Sequence, residues 1–140
     1  MDEPSLAASR FYDHLLPGGV LVMAFMIFKP GSDGKLSDWR LANEETRPED
    51  GALAQFYIRG RNDAETQLQH NESRYEITLD GEVITSEFHQ RSPATRWYTQ
   101  SQAVDMFEAA GFKDIKLFRG ATQEPATADD DVFSVLGNKP

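Results

Sequence analysis

The chain has 140 residues, 39% hydrophobic and 26% charged, which suits one soluble globular domain with a core of its own. It holds no cysteine, so disulfides, thiolate zinc sites and cysteine nucleophiles are excluded. A net charge of −9 with scattered Lys and Arg argues against a nucleic-acid partner.

Residues 5–16 read as a helix. Ser5 can cap it, and Ala8, Phe11 and Leu15 fall on one stripe. Pro17-Gly18-Gly19 stops it. The apolar run from Val20 to Phe28 follows and is closed by Pro30-Gly31-Ser32-Asp33-Gly34. The run is about half of the roughly 20 residues that span a bilayer. Apolar on both faces, it reads as a central strand covered by helices on both sides. The acidic start of the chain is unlike a secretion signal, so a cytoplasmic location is expected, with no membrane partner. Residues 35–53 read as a long polar connection with a helical turn near Trp39.

From 54 to 98 the period falls to two, the pattern of an antiparallel insertion. Phe56 and Ile58 share one face. Asp80-Gly81 marks a two-residue hairpin turn, because both turn positions need positive φ. Such a turn sets Ile77 opposite Ile84 and Tyr75 opposite Ser86, with Arg74 meeting Glu87 and Glu72 meeting His89 on the other face. One face is then apolar and the other charged. In residues 99–140, Thr99 and Gln102 form a capping box for a helix with Ala103, Phe107 and Ala110 on its buried stripe. Gly111 ends that helix. Residues 113–118 and 132–136 close the chain as strands, with Ile115 and Leu117 inward. Asp129-Asp130-Asp131 lacks the alternate spacing of a calcium loop and reads as a solvated turn, so no metal is expected.

Leu15-Leu16-Pro17-Gly18-Gly19-Val20-Leu21-Val22 resembles the turn that leads into the fifth strand of class I S-adenosylmethionine-dependent methyltransferases. Arg74-Tyr75-Glu76-Ile77, Asp80-Gly81, Arg96-Trp97-Tyr98-Thr99 and Glu108-Ala109-Ala110-Gly111-Phe112 follow the family's order, and residues 131–136 resemble its seventh strand. The resemblance spans nearly the whole chain but only the back half of such an enzyme. It implies an α/β fold: a partial Rossmann-like methyltransferase sheet, strands 5-7-6, with an antiparallel β insertion and two main helices. It also implies a substrate-side fragment that neither binds S-adenosylmethionine nor catalyses methyl transfer alone. The family grips the cofactor on a glycine-rich strand-to-helix turn, whereas Gly18-Gly19 precedes a strand.

On that resemblance the insertion covers a substrate pocket, and Tyr57, Arg59, Tyr75, His89, Arg96 and Tyr98 are the candidate ligand-facing residues. Each also has a structural reading: Tyr75 as core, His89 as the partner of Glu72, Arg96 as an ion-pair partner. No residue is assigned a catalytic role. Without a fourth strand, the run from Val20 to Phe28 becomes an open apolar edge, which implies a homodimer or a separate N-terminal half as partner. The alternative is a non-enzymatic homodimeric module that binds a small ligand or another protein.

Overall fold

The computed structural model describes residues 3–28 and 34–140; the turn expected at residues 30–33 lies outside them. The chain runs α1 (Glu3–His14), β1 (Val20–Met26), β2 (Arg40–Thr46), β3 (Leu53–Asp63), β4 (Leu68–Leu79), β5 (Glu82–Arg96), α2 (Gln100–Ala110), β6 (Lys113–Arg119) and β7 (Val132–Asn138). It divides into two compact units, Met1–Phe28 with Trp97–Pro140, and Lys29–Arg96.

The first unit is a three-stranded sheet, order β1-β7-β6, carrying both helices. Both pairings are antiparallel, so β1 and β6 run the same way with β7 reversed between them. The core is Ala103, Phe107, Phe112, Phe133 and Val135, with Leu21, Met23, Phe25, Ile115 and Leu117 packed on it from the sheet. β1 alternates: Leu21, Met23 and Phe25 face this core, while Val20, Val22 and Met26 are about half exposed. The expectation of cover on both faces is therefore corrected. β1 ends its sheet, and its second apolar face is open among the described residues.

α1 starts at Glu3, so Ser5 lies inside the helix and not at its cap. Its inward stripe is Ala8, Tyr12 and Leu15, at i, i+4 and i+7, while Phe11 is 46% exposed. α2 has the expected ends. The Thr99 side chain accepts from the Gln102 amide, the Gln102 side chain accepts from the Thr99 amide, and Gly111 takes φ 103°. Gly137 is needed for packing: a Cβ there would stand 2.8 Å from both Phe107 and Phe112. Glycine at this point lets the rings of Phe107 on α2 and of Phe112 just beyond it rest directly on β7.

The second unit is a four-stranded antiparallel sheet, order β2-β3-β4-β5. Residues 40–46 form a strand, not the irregular connection expected. Arg-Leu-Ala-Asn-Glu-Glu-Thr has no apolar alternation, and pairing with β3, not burial, makes it a strand. Asp80 and Gly81 both have positive φ, 51° and 82°, as the hairpin turn requires. The register beyond it differs from the expected one. Thr78 pairs with Val83, but Ile77 pairs with Thr85, leaving Ile84 as an extra residue. This β-bulge shifts the partners from Ile77 to Asn71 by one, and a second irregularity between Asn71 and Gln69 shifts the last pairs further. Tyr75 stands opposite Glu87, Ser73 opposite His89 and Arg74 opposite Phe88. The hairpin is also more open than expected: Tyr75, Ile84 and Phe88 are each about half exposed.

Candidate functional site

The two faces of the four-stranded sheet carry different chemistry, and the pairing shows which residues share a row. On one face Tyr57, Arg59, Glu72, Arg74 and Phe88 gather around Trp39. The Arg59 and Arg74 guanidinium carbons lie 4.5 and 4.9 Å from the Trp39 ring, and Arg74 is 5.0 Å from the Tyr57 ring. Cations over aromatic faces are attracted by the ring quadrupole. Arg59 Nε donates to Glu72 at 2.6 Å, and Gln90 Nε2 donates to its other oxygen at 3.1 Å. Arg74 Nε stands 3.1 Å from Glu76 Oε1 without the alignment of a hydrogen bond. Arg59, Glu72 and Gln90 satisfy one another, while Arg74 is held by its charge on Glu76 and by the two rings.

The opposite face is organised in rows across the strands. One row is Arg40, Ile58, Ser73 and His89; the next is Asn43, Phe56, Tyr75 and Glu87. Asn71 and Arg91 pair in the row on the other side of Ser73. Phe56 and Tyr75 stack with centroids 4.4 Å apart, and His89 meets the Tyr75 ring edge-on at 5.9 Å. His89 Nε2 lies 2.8 Å from Glu87 Oε1. An open groove of about 1400 Å³ runs here, with Ile58, Ser73, Tyr75, His89, Arg40 and Arg91 among its walls.

The six residues named from sequence therefore separate. Tyr75 and His89 line the groove from their own face, Arg59 borders it from the Trp39 side, and Tyr57 lies on that same side beneath Arg74. Arg96 is exposed at the end of β5, opposite Leu68, and makes no ion pair among the described residues. Tyr98 belongs to the other unit, where its ring meets Phe25 edge-on at 6.3 Å. The expected pairs Glu72–His89 and Arg74–Glu87 do not form, because the bulge at Ile84 moves Glu87 and His89 to the face of Tyr75. Sequence reading missed Arg40 and Arg91. Arg40 was hidden in a strand without hydrophobic period, and Arg91 by the one-residue register shift.

Asp130, inside the acidic run, holds a turn: the Thr127 amide and hydroxyl donate to it at 2.7 and 3.0 Å, and Arg119 pairs with it. No group of His, Asp and Glu suited to a metal ion occurs among the described residues. None of the described helices is long and apolar enough to cross a membrane.

The described residues form a mixed α/β fold with two helices and two antiparallel sheets, similar to part of the fold of S-adenosylmethionine-dependent methyltransferases. The likeness extends to DesVI of Streptomyces venezuelae (19% identity, TM-score 0.58), with 99% of this chain and 51% of that one covered. A second is an S-adenosylmethionine-dependent methyltransferase from Clostridium acetobutylicum (12%, TM-score 0.59), with 96% and 50% covered. A third is S-adenosylmethionine-bound CalS10, an amino pentose methyltransferase from Micromonospora echinaspora involved in calicheamicin biosynthesis (17%, TM-score 0.60), with 97% and 50% covered. The chain thus spans about half the length of the solved structures it matches. No family model and no curated protein matches it.

The turn at Gly18-Gly19 joins a helix to a strand, and its amides are taken: Gly18 donates to the Lys139 carbonyl and Gly19 to that of Leu16, each at 2.8 Å. α2, which follows the four-stranded sheet, opens on Arg96-Trp97-Tyr98-Thr99 with no glycine to let backbone approach a ligand.

Proposed function

We propose that this chain is the C-terminal, substrate-side part of a methyltransferase-like protein, with strands equivalent to the family's 5-7-6. Its groove serves the acceptor, and residues outside these 140 supply the grip on S-adenosylmethionine. The observation behind this reading is the coverage: nearly all of this chain superposes on half of each solved structure. The occupied amides at Gly18-Gly19 support the second part of it. Isothermal titration of the chain with S-adenosylmethionine tests it. No heat of binding is expected from the chain alone, and micromolar affinity would overturn the division of labour.

The open edge of β1 favours a second reading, a homodimeric binding module without catalysis. A strand edge flanked by exposed Val20, Val22 and Met26 is a template for pairing with another strand. Sedimentation velocity at micromolar concentration separates the two. A dimer that Ala24→Lys dissociates supports the module, and a clean monomer counts against it.

A further inference from the structure

We infer that the groove face of the four-stranded sheet binds a small aromatic anion: a flat ring carrying a phosphate or carboxylate about 7 Å away, one row of the sheet. This rests on the reading of the groove as a ligand site and deepens it by naming the ligand's chemistry, which needs neither cofactor nor methyl transfer to be tested. Three observations point to it. The first is charge segregation. The groove walls carry Lys35, Arg40, Arg59, Arg61 and Arg91 against Asp38 and Glu72, with Glu72 paired to Arg59 and the neighbouring Glu87 beside His89, where the whole chain has 14 Lys or Arg against 23 Asp or Glu. A groove richer in cations than the acidic chain around it favours anions there.

The second is that two of these cations are uncommitted. Arg40 and Arg91 are exposed, and neither makes an ion pair among the described residues. They rise from the opposite outer strands β2 and β5, separated by three strand spacings of about 4.8 Å. Between them the floor is Ile58 and Gly60 on β3 and the short polar Ser73 and Asn71 on β4. An anion seated over Ser73 lies within reach of both guanidinium groups, which bind planar carboxylates and phosphates through paired N–H donors.

The third is the neighbouring row. Stacked Phe56 and Tyr75 offer a flat apolar surface, and Tyr75 is 47% exposed although it is a large ring at the centre of the sheet. Leaving such a ring in water forgoes burial that a packed position would provide. A ligand ring laid on it recovers that burial while its anion sits one row away.

The probes are 3-phenylpropyl phosphate and 4-phenylbutyrate, with 3-phenylpropanol as the uncharged control, titrated calorimetrically into the whole chain. At least one anion is expected to bind about tenfold or more tighter than the alcohol, the effect of one charge-assisted contact. The double variant Arg40→Gln/Arg91→Gln is expected to abolish that difference, and Tyr75→Ser to weaken both anions, with melting curves unchanged for the exposed arginines. Equal affinity for anions and alcohol overturns the inference, as does undiminished anion binding by the folded double variant. Because no methyl donor is present, failure here and failure of the cofactor titration are separate results.

Discussion

Glu72 is the most enclosed carboxylate described, 8% exposed, and its two oxygens are taken by Arg59 and Gln90. Removing it leaves Arg59 against Trp39 without its counter-charge. Because Arg59 keeps 30% exposure and can hydrate, the cost falls below that of a fully buried pair. Glu72→Ala should lose about 2 kcal/mol in urea unfolding. Asp130 is a different case. Its pKa lies below the ordinary aspartate value, chiefly because the Thr127 amide donates to it, with the Thr127 hydroxyl and Arg119 adding to the effect. A depressed folded pKa means the contribution is complete above the ordinary aspartate range and lost as pH falls through the lowered value. Protection of the Thr127 amide in hydrogen exchange should therefore persist through mild acid and drop only below that range. Asp130→Ala should remove the protection at neutral pH.

At the level of elements, what could be read in advance depended on whether the deciding signal is local. α2 is written in three residues, Thr99, Gln102 and Gly111, whose conformations answer only to their neighbours. The Asp80-Gly81 turn is local in the same way. β2 was invisible because a strand that buries nothing has no hydrophobic period. The β4–β5 register was missed because a bulge trades one ladder step for better company several residues on. It places Phe88 beside Trp39 and His89 beside Tyr75, which strict alternation would exchange. The site inherits both gaps, so Arg40 and Arg91 escaped notice. Deleting the exposed Ile84 should therefore straighten β5 and leave Thr85 onward in register. Cross-strand NOEs from Tyr75 to Glu87 and His89 should survive; a switch to Ser86 would show that the bulge does not set the pairing.

Across the whole molecule the two units are stabilised by different means. The buried aromatic and aliphatic cluster lies wholly in the unit of Met1–Phe28 and Trp97–Pro140. Among the described residues of Lys29–Arg96 the fully buried apolar one is Ala52, and β2 and most of β5 are exposed along their length. That sheet relies on its hydrogen-bond ladder and on ring and ion pairs at its surface. Native-state hydrogen exchange should find the slowest amides in α2 and β7 and the fastest in β2 and β5. Equal protection in both units would mean that the sheet draws on burial not seen here.

The placement of Trp39 and Trp97 has a practical consequence. They are the chain's two tryptophans, one in each unit, the first beneath two guanidinium groups and the second 8% exposed. Intrinsic fluorescence of Trp39→Phe and Trp97→Phe variants would thus report on each unit by itself. Coincident melting in the pair would make the polypeptide one cooperative body, and separate melting would make it two.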